Sequence, residues 1–188
     1  MFRFLIYLVV GEIFGLLAWI VAPILPLFAT MQDGWSDNSH YRAVEPRLPW
    51  WLGWFMTPDN SLWGDNGWQT KHCPNFKSYW GMVKWLCRNR AYGFSWTVLA
   101  CPVGDPAAAV VDGDLNIDRN NGRFGSFRIV LGDYWQRKWV TRIGNTDYLV
   151  SLNVGWLLDP YVKNPETVKT QPKALYLFSP RFGRVVHA

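Results

Sequence analysis

The sequence predicts an α+β protein: a single N-terminal transmembrane helix, then one small domain with a helix and an antiparallel β-meander of about four to five strands. Two observations indicate this class. Residues 4–22 form one apolar run that only Glu12 interrupts. After residue 124, apolar side chains alternate with polar ones between glycine-containing turns. We therefore divide the chain into an anchor at 1–29, a connector at 30–49 and an aromatic-rich α+β domain at 50–188.

The apolar run has the length of a membrane span. A helix rises about 1.5 Å per residue, so the run would cover roughly 28 Å, close to the hydrocarbon thickness of a bilayer. Pro23 and Pro26 should end the helix, because proline lacks an N–H and clashes with the preceding turn. Two alternatives stay open. A cleaved signal peptide would have a shorter apolar region after more positive charges, and a buried core helix would show a polar stripe.

Small residues mark one side of the predicted helix. Gly11 and Gly15 flank Glu12, and Ala18 continues the ridge. Such a surface lets two membrane helices approach closely, and a carboxyl group in lipid is tolerated when it faces another helix. We expect Gly11, Glu12, Gly15 and Ala18 to pack against a partner helix or a second copy of the chain. The alternative is chance, since glycine is common in membrane helices.

Tryptophan is unusually abundant, with thirteen in 188 residues. Its large apolar body and single N–H suit the boundary between lipid and water. Trp50, Trp51, Trp54 and Phe55 are expected to form a short interfacial helix at headgroup depth. A buried aromatic cluster in the domain core explains the same residues equally well. The net charge of +5 fits anionic lipid headgroups, nucleic acid or an ordinary soluble surface.

The remaining pattern places one helix before the sheet. Apolar residues at helical spacing predict a helix that opens at Cys73-Pro74-Asn75 and continues through Cys87. The alternation of Phe94, Trp96 and Val98 predicts a strand. Further strands are expected near 124–131, 134–143, 147–158 and 173–179. Hairpin turns should fall at Gly132-Asp133 and Gly144-Asn145.

One loop-rich stretch holds the polar residues that could carry chemistry. Asp59, Asn60, Asp65 and His72 could ligate a metal or supply an acid and a base. Their spacing matches no known metal or catalytic motif, and aspartate and asparagine in such a segment usually make turns. We predict no catalytic residue, metal site or cofactor.

A second candidate surface lies on the predicted sheet. Trp135, Arg137 and Trp139 share one face of a strand, an arrangement that single-stranded nucleic-acid binders use to stack bases and hold phosphates. The alternative is a buried aromatic face with a solvated basic edge.

The most distinctive segment is Thr57-Pro58-Asp59-Asn60-Ser61-Leu62-x-Gly64-Asp65, followed by Trp68. With the anchor, the stretch Arg88-Asn89-x-Ala91-Tyr92-Gly93-Phe94 and the late Gly155-Trp156 and Phe178-Ser179-Pro180, it resembles a family of small membrane-anchored proteins of tailed bacteriophages that has no known activity. Trp63 stands where an acidic residue is expected in that family. The resemblance implies a phage origin and a bacterial host membrane.

We therefore expect a non-enzymatic, single-pass protein of the bacterial inner membrane whose domain binds a host or phage protein. Its expected partners are the lipid bilayer, that protein and, through the anchor, a second copy. One alternative is a virion or DNA-delivery component that contacts nucleic acid or other virion proteins. Another is a small metal-dependent hydrolase built on the polar stretch.

Overall fold

The computed structural model describes residues 2–36, 41–120 and 122–184. It confirms the predicted α+β class, with an N-terminal apolar helix, further helices and antiparallel sheets that include one of five strands. The chain divides into two compact units, Met1–Val98 and Leu99–Ala188. We call them the helical unit and the sheet unit. Their boundary falls inside the stretch 50–188 that the sequence predicted as one domain.

The described residues of the helical unit form three α-helices and one hairpin. The helices are α1 (Phe2–Val21), α2 (Tyr79–Arg88) and α3 (Tyr92–Phe94), with 3-10 turns at Leu25–Phe28 and Trp50–Phe55 and π-helical turns at Trp68–His72 and Ser95–Leu99. Within the segment 30–49, expected to be a connector, β1 (Thr30–Ser36) and β2 (Tyr41–Arg47) pair antiparallel. Residues 37–40 of that segment lie outside the described residues.

The core of the helical unit joins the end of α1 to α2. Ala22 and Leu62 are fully buried there, packed with Leu25, Leu48 and Leu86. The predicted start of α2 is wrong by several residues. The helix begins at Tyr79, because the hydroxyl of Ser78 accepts a hydrogen bond from the Gly81 N–H at 3.0 Å and caps it.

The strand predicted from Phe94, Trp96 and Val98 is also wrong, since these residues lie in α3 and the π-helical turn after it. Three alternating residues are too few to separate a strand from a helical segment. Aromatic packing decides the conformation here. The ring of Phe94 stacks on Phe14 of α1 with centroids 4.0 Å apart, and it meets Trp54 edge-on at 5.7 Å.

The sheet unit is an antiparallel meander with a returning edge strand. Its main sheet has the order β4 (Val110–Gly113), β5 (Gly125–Leu131), β6 (Tyr134–Arg142), β7 (Tyr148–Trp156) and β9 (Tyr176–Arg184). A small second sheet pairs β3 (Cys101–Pro102) with β8 (Lys173–Ala174). Two short helices, α4 (Asp159–Lys163) and α5 (Thr167–Thr170), precede β8. The predicted turns are confirmed, with Gly132 and Gly144 both at positive φ.

The register sorts the main sheet into two faces. One, which we call the open face, carries Arg128, Val130, Trp135, Arg137, Trp139, Val150, Leu152, Val154, Phe178 and Phe182. The other, which we call the pocket face, carries Phe127, Ile129, Gln136, Lys138, Val140, Leu149, Ser151, Asn153, Ser179 and Arg181. The pocket face is the more deeply covered of the two, since Phe127, Ile129, Val140 and Leu149 are almost fully buried there.

Candidate functional site

The outer surface of α1 is apolar and uncovered. Residues Arg3–Val21 form a helix long and apolar enough to cross a membrane. Only 17% of the most apolar 18-residue stretch of this helix is buried within the protein. Large side chains are exposed all along its length, namely Leu5, Ile6, Val9, Val10, Ile13, Leu16, Leu17, Trp19 and Ile20. A core helix of a soluble protein would be mostly covered by its own chain.

The small residues of α1 have little exposed surface of their own. Gly15 and Ala18 are buried in the helical unit, and Gly11 is half-buried. Glu12 is exposed, on the side that carries the apolar side chains. A Cβ added at Gly15 would meet no neighbouring atom within 4 Å, so there is open space beside this part of the ridge.

The aromatic segment after the hairpin lies against α1, at the surface of the unit. We call Phe28, Trp50, Trp51 and Trp54 the aromatic belt. Trp54 contacts Phe14 of α1 edge-on at 5.8 Å, and Trp51 contacts Phe28 at 5.9 Å. All four are exposed, Trp50 by 90%, whereas Phe55 is half-buried and stacks on Phe14 at 5.4 Å. The alternative of a buried core cluster therefore does not hold for the three tryptophans.

The polar residues of the stretch from Asp59 to His72 make hydrogen bonds within their own loop or lie exposed on it. Asp65 accepts a hydrogen bond from the Trp68 N–H at 2.6 Å and lies 3.9 Å from Arg88. The backbone carbonyl of the buried Asn60 accepts a hydrogen bond from the Thr57 hydroxyl. Asp59 and His72 are both exposed. Among the described residues, no three His, Cys, Asp or Glu side chains lie close enough to share a metal ion.

The remaining residues of the Thr57–Asp65 segment have a packing role. Leu62 enters the core with no exposed surface, and its N–H donates to the carbonyl of Pro46 at 2.9 Å. Gly64 has a φ of +77°, and a Cβ there would lie 2.6 Å from Trp68 and 2.7 Å from Trp85. Only glycine fits such a position without strain. The segment thus locks the end of β2 to α2.

Trp135, Arg137 and Trp139 lie on the open face, as the alternation predicted. The guanidinium of Arg137 lies over the ring of Trp139, 5.4 Å from its centroid. Arg128 is directly opposite Arg137 in the register. Trp139 is 36% exposed, so it is not the centre of a buried core.

Sequence reasoning missed the part of this face that β9 supplies. Phe178 is 42% exposed and Phe182 is 66% exposed, and Phe182 stacks on Tyr148 with centroids 5.4 Å apart. The alternation typical of a strand was present in the sequence, because Tyr176, Phe178, Pro180 and Phe182 occupy every second position. Pro180 obscured it, since proline usually ends a strand; β9 tolerates it as the edge strand of the sheet.

The three cysteines Cys73, Cys87 and Cys101 form no disulfide within the described part of the chain. Cys73 and Cys101 are buried, and burial raises the pKa of the half-buried Cys87 thiol above its ordinary value. In the sheet unit, burial and then the neighbouring Cys101 raise the pKa of the Tyr161 phenol.

Comparison with known proteins identifies the family of the chain. Residues 1–181 match the family of unknown function DUF7338, and the chain belongs to that family. No curated protein and no solved structure matches it.

Proposed function

We propose that this member of DUF7338 is a non-enzymatic, single-pass membrane protein that binds a protein partner at the inner membrane of a bacterial host. The observation that carries the proposal is the exposed apolar surface of α1 beside the aromatic belt. The phage origin and the host membrane rest on the resemblance of the Thr57–Asp65 segment, and the partner is a host or phage protein.

The length of α1 fits a bilayer, and the aromatic belt extends past the end of the helix. Twenty residues rise about 30 Å, which is the hydrocarbon thickness of a typical membrane. Trp54 touches α1 at Phe14, seven residues before the helix ends, or about 10 Å along its axis. That contact lies inside the hydrocarbon when α1 spans it, whereas Trp51 contacts Phe28, seven residues beyond the end of α1. Tryptophan is enriched at the bilayer boundary, because its ring prefers that region and its N–H finds hydrogen-bond acceptors there.

Cell fractionation tests the membrane location. The full-length chain, expressed in bacteria, should sediment with membranes and resist extraction at high pH until detergent is added. The intact mass of the extracted protein should include residues 1–22. Full-length protein recovered without detergent would refute the proposal, and so would a mature chain that begins after Ala22, because the helix would then be a cleaved signal.

The open face supplies the surface for a protein partner. Val150, Phe178 and Phe182 are all exposed, and Arg128 and Arg137 lie among the apolar side chains. Exposed apolar surface of this extent, combined with arginine and aromatic side chains, is typical of protein interfaces. A partner with an apolar patch and acidic residues would match it.

Two valines give a matched test of this face. Val150 is on the open face and is 39% exposed; Val111, paired with Ile129, is on the opposite face and is 38% exposed. We expect Val150→Glu to abolish co-purification of the partner in mild detergent, with Val111→Glu leaving it intact. Equal recovery with both variants would refute a role for the open face.

A second candidate function is nucleic-acid binding by the same face, in a virion or DNA-delivery component. The stacked pair of Arg137 and Trp139 favours it. Binding of single-stranded DNA should then weaken steeply as salt rises, because phosphate contacts release counterions. Binding that is absent or insensitive to salt would exclude this function, and mass spectrometry of purified particles tests the virion location.

A further inference from the structure

The pocket face of the sheet unit carries a polar cavity that the proposed function does not use. The cavity has a volume of about 300 Å³, at the lower end of the range for small-molecule sites. Its floor is built from β6, β7 and β9, and one wall is the loop 118–120. Leu157 and Leu177 are its apolar lining residues.

The floor is a regular array of hydrogen-bond donors. Lys138, Asn153 and Ser179 are directly opposite one another on three neighbouring strands, and Ser151 and Arg181 form the next row. These five side chains therefore point from one face of the sheet into one space. Three strands supply the donors, so a ligand held there would be bound from several directions.

A buried glutamine fixes the orientation of one of these donors. Gln136 has no exposed surface, and its amide nitrogen donates to Asn153 Oδ1 at 3.0 Å and to Asp159 Oδ1 at 2.9 Å. Its carbonyl oxygen accepts from the N–H groups of Leu158 and Asp159, both at 2.7 Å. Because Asn153 uses its oxygen toward Gln136, its NH₂ group is the part left to donate.

The charge around the cavity is positive. Arg119, Lys138 and Arg181 line it, against the single carboxylate of Asp118. Asp118 is already engaged, since its Oδ1 accepts from the Asn120 N–H at 2.9 Å. Lys138 donates one hydrogen bond to the Ile117 carbonyl at 3.0 Å, and Arg181 donates to Ser179 at 3.1 Å. Among the described residues, no salt bridge neutralises any of these three cations.

We propose that this cavity binds a phosphate group, in a site held by Lys138, Asn153, Ser179 and Arg181. A phosphate accepts hydrogen bonds on several oxygens in a tetrahedral arrangement, and charge-assisted bonds from lysine and arginine to it are strong. A carboxylate would use only part of an array that spans three strands. The phosphate belongs either to a soluble phosphomonoester or to the headgroup of an anionic lipid.

Calorimetric titration of the full chain tests the site. The protein is kept in a maltoside detergent, which carries no phosphate, and is titrated with inorganic phosphate and with glycerol 3-phosphate. Arg181→Gln and Lys138→Met should each raise the dissociation constant by about tenfold or more, since each removes a charge-assisted hydrogen bond. Arg142→Gln is the control, because Arg142 is exposed on the same strand as Lys138 but does not line the cavity.

The outcomes separate the sources of the phosphate. Binding of glycerol 3-phosphate in detergent indicates a soluble ester. Binding only to phosphatidylglycerol vesicles, lost in the Arg181→Gln and Lys138→Met variants, indicates a lipid headgroup. Absence of binding to all three probes would overturn the proposal. An equal loss in Arg142→Gln would also overturn it, because the attraction would then come from net charge alone. Arg181 is exposed, so its variant should fold even where Lys138→Met does not.

Discussion

The helical unit and the sheet unit both leave large apolar side chains exposed, but the surroundings of those side chains differ. Ten of the thirteen tryptophans lie in residues 1–98 and three in residues 99–188. On α1 the exposed surface is apolar over five turns, and its only charged side chains among the described residues are Arg3, at the N-terminal end, and Glu12. On the open face, Arg128 and Arg137 alternate with apolar residues. A long apolar surface with so few charges suits lipid, whereas apolar residues mixed with arginine suit a macromolecule.

The largest expected effect is on membrane insertion. Ile13→Arg combined with Leu16→Arg should move the protein out of the membrane fraction, because each arginine near the centre of a span costs about 2.5–3.5 kcal/mol. Both side chains are exposed on α1. Fractionation followed by immunoblotting measures the result. Val150→Arg introduces the same charge on the open face and should leave the distribution unchanged; an equal loss there would remove the distinction between the two surfaces.

The next effect concerns the core that holds α1 to its unit. Leu62→Ala should lower the free energy of unfolding by about 2–5 kcal/mol, because it opens a cavity at a fully buried position. Leu27→Ala changes a leucine that is 70% exposed and should cost about 0.5 kcal/mol or less. Denaturant titration in detergent measures both. A small cost at Leu62 would contradict the packing role assigned to the Thr57–Asp65 segment.

The elements of both units were predictable wherever a pattern ran for many residues. The anchor and the three strands β5, β6 and β7 were found within two residues at most boundaries, because long periodic runs leave few alternatives. The strand expected at Phe94–Val98 failed since its pattern is short and the stacking of Phe94 on Phe14 is a long-range contact. Such a contact has no local signal in the sequence.

The candidate sites were likewise predictable where they follow from a local pattern and not where they depend on long-range contacts. The sequence placed Trp135, Arg137 and Trp139 on one face correctly, because alternation fixes which side chains share a face. It could not indicate that this face is open, since exposure depends on what the loops cover. The cavity on the pocket face combines residues from β6, β7, β9 and a distant loop. Their proximity follows from strand register, which a single sequence does not specify at that precision.

The buried side chain of Gln136 in the sheet unit should contribute about as much to the free energy of unfolding as the buried Leu62 does in the helical unit. Gln136→Leu keeps the volume of the side chain but leaves the N–H groups of Leu158 and Asp159 without their acceptor. Each unpaired buried N–H costs about 1–3 kcal/mol, and the apolar surface that leucine buries offsets part of the cost of two. We therefore expect a total loss of about 2–3 kcal/mol. Gln171→Leu, at an exposed position, is the control and should change little. A neutral Gln136→Leu variant would indicate that water replaces the amide.

The smallest effect is a pH dependence that originates in the helical unit. Cys87 packs against its core, and burial raises the pKa of the thiol in the folded state. Below its ordinary pKa, near 9, both states hold the proton and the contribution of Cys87 to stability is constant. As the pH rises through that value the unfolded chain releases its proton first, so the free energy of unfolding falls until the folded-state pKa is passed. Tyr161 in the sheet unit contributes a fall of the same sign at higher pH.

The urea midpoint of the wild type, measured from pH 7 to 10, should therefore decline more than that of Cys87→Ser. Parallel curves for the two proteins would mean that the thiol titrates alike in both states, and that this side of α2 is wetter than its packing indicates.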